Sequence, residues 1–136
     1  MTAKSEVLDG KVLYSQAYSF YHSGLYYKAR DCFRVLTAVE PGNYNHWFGL
    51  GATLQMIREY QDAIQAYSLS ALADLDEKDP FPHFHAAECL MAIRKYDRAI
   101  IALNSAEAIA KQQKSPQQLL NQIEQLRVAT LEIKDK

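Results

Sequence analysis

The sequence predicts an all-α chain, built as a repeating stack of antiparallel helix pairs. Three observations predict it. Tyr-x-x-Ala occurs three times, at Tyr26–Ala29, Tyr60–Ala63 and Tyr96–Ala99, with the alanines 34 and then 36 residues apart. A small residue (Ala17, Gly51, Ala87) sits at the matching place ahead of each motif. The stretch after Ser115 carries one apolar stripe and no fourth copy. Self-similarity at such a period means that each unit is one helix pair whose apolar face is buried by its neighbours.

Aligned on the alanines, the first unit runs from about 10 to 43, the second from about 44 to 77 and the third from about 80 to 113. The first reads Leu13, Ala17, Phe20, Tyr26, Ala29, Phe33; the second Trp47, Leu50, Gly51, Leu54, Tyr60, Ala63, Tyr67; the third Ala86, Ala87, Leu90, Tyr96, Ala99, Leu103, Ala106. This is the tetratricopeptide pattern, and the second unit fits it most fully through Trp-x-x-Leu-Gly. The small residues let partner helices approach, and large residues one turn away fill the space around them. Ser23-Gly24 offers a left-handed cap to the first helix. Glu40-Pro41-Gly42-Asn43 breaks units one and two. Asp79-Pro80 opens the third, with Asp at N-cap and Pro at N1. The acidic stretch 74–79 holds the two-residue insertion, read as a longer turn.

The last helix is expected over 116–134, opened by Ser115-Pro116-Gln117-Gln118 as a capping box. Leu119, Ile123, Leu126, Thr130 and Ile133 form its stripe. A one-sided terminal helix closes the open face of a repeat array. The expected molecule is one domain over 1–136: three tetratricopeptide repeats and a C-terminal capping helix in a right-handed superhelical α-solenoid.

Composition narrows the function classes. The 15 basic and 16 acidic residues are dispersed, which leaves no footprint for nucleic acid. No apolar run is long enough to span a bilayer, and residues 1–6 lack the apolar core of a secretory signal. Cys32 and Cys89 make no disulfide framework, so a cytoplasmic location is expected. Enzymatic activity is not expected: there is no nucleophile–base–acid set and no phosphate-binding glycine loop. His83, His85 and Cys89 make a poor metal site, because residues two apart on a helix point apart and two ligands do not hold zinc. No cofactor is expected.

The candidate site is the concave face. Positions 2, 5, 9 and 12 of each repeat give Lys11, Tyr14, Tyr18 and Tyr21, then Asn45, Phe48, Ala52 and Gln55, then Phe81, Phe84, Glu88 and Met91. Tyr14, Tyr18 and Tyr21 share one helix face, distinct from that of Leu13, Ala17 and Phe20. One stripe packs the repeat and the other needs a partner. Tyr and Phe suit an extended apolar peptide, giving large contact area with few rotors to freeze. The alternative is that these rings are core, buried by an N-terminal arm or a second subunit. The Lys/Asn/Arg clamp that holds a C-terminal carboxylate in many such domains is missing: Tyr14, Tyr18, Gly49, Phe81 and His85 stand there.

Three segments carry a family resemblance. Leu13-Tyr14-Ser15-x-Ala17-x-x-x-Tyr21-x-Ser23-Gly24-x-Tyr26, Phe48-Gly49-Leu50-Gly51-Ala52 and Pro82-x-Phe84-His85-Ala86-Ala87-Glu88-Cys89-Leu90 resemble successive repeats of the class II chaperones of bacterial type III secretion, over about 12 to 130. The resemblance implies a bacterial cytoplasmic chaperone that holds a hydrophobic translocator protein soluble before export. It implies that a short client segment lies extended against Tyr14, Tyr18, Tyr21, Phe48 and Phe84. Family members have a longer N-terminal helical arm, often used to dimerise; about nine residues precede Gly10 here, so a monomer or weak homodimer is expected. The alternative function is a generic tetratricopeptide adaptor or scaffold subunit, or a chaperone for another secreted protein such as a gatekeeper.

Overall fold

The computed structural model describes residues 9–136. Expectations about the segment ahead of Asp9, including the dimerising arm, fall outside the described residues. Among the described residues seven α-helices follow one another: α1 Gly10–His22, α2 Tyr26–Val39, α3 Tyr44–Met56, α4 Tyr60–Ala73, α5 Phe81–Ala92, α6 Tyr96–Gln112 and α7 Gln117–Lys134. No strand occurs among the described residues. The all-α tetratricopeptide fold is the one expected.

The turns inside each pair are copies of one device. Gly24, Arg58 and Arg94 all take positive φ, at 78°, 63° and 64°. The next residue closes the turn: Leu25 N–H donates to Phe20 O, Glu59 to Leu54 O and Lys95 to Leu90 O, at 2.8–2.9 Å. This is the Schellman arrangement that satisfies the last carbonyls of a helix. Lys114, at φ 54°, repeats it after α6, with Ser115 N–H on Ala110 O at 2.8 Å.

That last turn corrects one expectation. Ser115 does not cap α7. Its N–H is committed to the preceding turn, and the extended Pro116 (φ −56°, ψ 145°) stands at the N-cap with no side-chain bond. Asp79 does cap α5: its Oδ1 accepts the Phe81 N–H at 2.9 Å, although the helix starts one residue later than expected. The acidic turn before it is organised by Asp74, whose Oδ2 accepts the N–H groups of Lys78 and Asp79 at 2.9 and 2.8 Å.

Each helix packs on the next in sequence. In addition α1 touches α3, α3 touches α5 and α5 touches α7, whereas α2, α4 and α6 do not touch one another. The odd helices therefore crowd together and the even ones splay, which bends the stack and makes the odd-helix side concave. Ala17, Ala29, Ala63, Ala87 and Ala99 are fully buried where partner helices meet. Gly49 and Gly51 serve the joints as well. A Cβ at Gly51 would stand 2.8 Å from the Tyr67 ring, and one at Gly49 would run into the ring of Phe33.

A second core cluster joins Ala87, Leu103, Ala106, Ala110, Leu119 and Ile123, so α7 does close the third repeat. Arg127 reinforces the seam by reaching Glu107 at 3.2 Å and Asn104 at 3.1 Å. The stripe on α7 stops short of its expected end: Leu119, Ile123 and Thr130 are buried, but Ile133 is exposed.

Candidate functional site

α1, α3 and α5 present their side chains to the concave face, which carries two aromatic clusters. The first is built on α1. Tyr14 meets Tyr18 edge to face with ring centroids 4.9 Å apart, and Tyr18 meets Tyr21 at 6.3 Å. Tyr26 extends the row at 5.6 Å from Tyr21, and His46 of α3 lies 5.3 Å from Tyr14.

This cluster is not a free second stripe, as the spacing suggested. Tyr18 sits 5.1 Å from the ring of Phe33, which is fully buried between α1, α2 and α3. The tyrosines are half-buried and pack against the core with one edge. Burial pushes the Tyr18 phenol far above its usual range, and the neighbouring Tyr14 hydroxyl adds to the shift. Burial also raises Tyr21. Both stay neutral hydroxyls at any physiological pH, fit to donate to or accept from a peptide backbone.

The second cluster centres on His85, a residue the repeat pattern did not assign to the groove. Its ring stacks near Tyr67 at 5.7 Å and Phe81 at 6.0 Å, and meets Phe48 at 5.8 Å and Phe84 at 5.4 Å edge on. Three of the expected site residues, Phe48, Phe81 and Phe84, thus come together here with two unexpected ones, His85 and Tyr67. A polar chain runs through them: Tyr67 O–H donates to Gln55 Oε1 at 2.7 Å, Gln55 Nε2 donates to Glu88 Oε1 at 3.2 Å, and His85 Nδ1 lies 2.5 Å from the same oxygen. Burial works to raise Glu88, but the bonds from His85 and Gln55 outweigh it and hold the carboxyl below its usual range. An ionised Glu88 fixes the proton on His85 Nδ1. The Glu88 carboxylate is thereby engaged within the protein, between rings that make up most of the groove floor.

Met91 does not join either cluster. Its sulfur lies 3.5 Å from Thr130 Oγ1, so it is engaged by the capping helix. His46 was also missed: it is buried, and its Nδ1 has no hydrogen-bond partner among the described residues. Its only signal in the sequence was a polar residue one turn from Asn43, next to the apolar run Trp47–Ala52 of α3. Cys89 is fully buried with its thiol pushed up to about 12 by burial and by the charge of Glu88, which leaves it inert. Among the described residues no group of three His, Cys, Asp or Glu is set to hold a metal ion, and no helix is long and apolar enough to cross a membrane.

A tetratricopeptide-repeat family model matches residues 11–43 and 44–76. Low calcium response locus protein H of Yersinia pestis is 40% identical over 79 residues, which are 58% of this chain and 46% of that protein. The chain spans about half the length of the curated relatives it matches. Its structure is similar to that of SycD, the type III secretion chaperone of Yersinia enterocolitica, solved in complex with a peptide of the translocator YopD. The identity is 30% and the TM-score 0.84, over 93% of this chain and 94% of that one. It is similar also to PcrH of Pseudomonas aeruginosa in complex with the chaperone binding region of PopD, at 28% identity and TM-score 0.84, over 98% and 96% of the two chains.

Proposed function

The chain belongs to the type III secretion translocator chaperones, and we propose that it holds an extended apolar segment of a hydrophobic translocator in its concave face, keeping that client soluble and export-competent in the bacterial cytoplasm. The observation that carries the reading is the pair of half-buried aromatic clusters on α1, α3 and α5, with ring edges left open beside a groove whose Glu88 carboxylate is already held by Gln55 and His85. Support comes from SycD and PcrH, each solved with a translocator segment. The role is holding, with no chemistry performed.

In this reading Tyr14, Tyr18, Tyr21, Phe48, Phe81 and Phe84 are the anchors, and Gln55 and Glu88 brace His85 between them. Met91 acts from below, through its packing on α7. Rigid rings held by the core lose little entropy on binding, which is the advantage of anchors that are half-buried before the client arrives.

The test is a calorimetric titration of overlapping peptides that tile the translocators encoded with this chain. One apolar segment should bind wild type. Phe81→Ala and Phe84→Ala should weaken it roughly thirty-fold each, the loss of about 2 kcal/mol typical of a central anchor. Tyr18→Phe, which keeps the ring on Phe33 and removes only the hydroxyl, should weaken it less. Equal affinity across these folded variants would move the client off the concave face.

A further inference from the structure

The side of the molecule opposite the groove has a cleft of its own. It lies between α4 and α6, with α5 as its floor, and has a volume of about 580 Å³. That lies within the range of sites that take several side chains of a ligand. Its walls are two matching rows at i, i+3, i+4: Ser68, Ala71 and Leu72 on α4, and Ser105, Ala108 and Ile109 on α6. Its floor is Pro82, His83 and Ala86. At roughly 100° per residue, these floor residues lie on the opposite side of α5 from Phe81, Phe84 and Glu88. The cleft exists because α4 and α6 splay without touching.

Two features say what fits it. The walls are small and mostly apolar, with Ser68 and Ser105 the exceptions and Leu72 73% exposed at the lip. Leu75, 89% exposed, projects from the turn between the lining residues Asp74 and Glu77. One end carries three carboxylates, Asp74, Glu77 and Asp79, and no Lys or Arg lines any part of it. Lys78, the one cation in that turn, is directed at Asp76, 3.8 Å away. Burial raises Asp79 and lowers His83, and the carboxylates of Glu77, Asp79 and Asp74 pull His83 the other way, toward the charged form.

We propose that this cleft binds a basic amphipathic helix from a protein partner. Two or three of its apolar side chains enter between α4 and α6, and its Lys or Arg side chains reach Asp74, Glu77 and Asp79. The match is one of charge as well as shape. An acidic end beside an exposed apolar lip favours cations flanking an apolar face and repels an acidic segment. The site is separate from the concave face, and the buried Tyr67 ring stands between the two, lining the cleft and stacking on His85.

The test uses the full chain, labelled with ¹⁵N, and two synthetic helical peptides. Both have leucines on one face; one has lysines on the other face and its counterpart has glutamates. The lysine peptide should shift the amide resonances of Ser68, Ala71, Leu72, Ser105 and Ala108. The glutamate peptide should leave them unmoved. Glu77→Lys and, separately, Ala108→Arg alter exposed positions and should each weaken the lysine peptide at least about tenfold. Binding of a groove peptide should stay unchanged in both variants. The proposal is overturned if the lysine peptide shifts Tyr14, Phe48 and Phe84 instead, if it fails to bind, if the glutamate peptide binds equally, or if both variants, still folded, keep wild-type affinity.

Discussion

Gly49 and Phe33 set the distance between the first two repeats, and through it the footing of the tyrosine cluster. Phe33 is fully buried and cannot withdraw from a Cβ placed at Gly49. Gly49→Ala should gain about 1 kcal/mol of helix propensity and lose more than that to overpacking, for a net loss of about 1–2 kcal/mol. Gly42, with open space around it, is the control and should tolerate Ala with little change. Urea unfolding of the two variants decides it; equal midpoints would show that Phe33 has room to move. Sequence reading picked Gly51 as the small residue of this repeat and took Gly49 only as the lack of a clamp residue. The reason is that Gly51 meets Tyr67 of its own repeat, whereas Gly49 meets the previous one, a contact the repeat consensus does not encode. His85, weighed only as a metal ligand and as a missing clamp residue, was not read as the centre of a cluster for the same reason, since its partners Phe48 and Tyr67 lie one repeat away.

At the level of elements, the recurring left-handed turn separates what periodicity reveals from what it hides. Gly24 was legible as a cap because glycine announces positive φ. Arg58 and Arg94 hold the same conformation with no such signal, imposed by the helix pair on either side. A side chain there costs about 1–2 kcal/mol of local strain, part of which glycine returns as unfolded-state entropy. Arg94→Gly should therefore stabilise the fold by about 0.5–1 kcal/mol, read as a higher thermal midpoint; a lower midpoint would mean that the guanidinium has a stabilising partner. The helix α7 makes the converse case. Its apolar stripe was plain, while its N-terminal box was misread because Ser115 belongs to the turn behind it. Removing residues from Ser115 onward uncovers Leu103, Ala106 and Ala110. A few hundred Å² of apolar surface at about 25 cal/mol per Å² is several kcal/mol, so the truncated chain should melt far earlier or aggregate. A soluble monomer with an unchanged midpoint would mean that three repeats suffice without a cap.

For the whole molecule, the stack and its concave side follow from the 34- and 36-residue spacing, which any single repeat leaves invisible. The groove's aromatic character was legible too, because Tyr14, Tyr18, Phe48 and Phe84 fall at inward positions. What spacing did not show is how far those rings are already used: Tyr18 leans on Phe33, and Met91 is held by α7. The central claim is that an extended apolar client segment lies along this face. Photo-cross-linking from a benzophenone amino acid tests it most directly, placed at Phe81 on the inner helix α5 or at Val35 on the outer helix α2; the two side chains are 42% and 45% exposed. The predicted result is a covalent adduct with the translocator segment from position 81 and none from position 35. An adduct from position 35, with position 81 silent in a folded protein, would contradict the account.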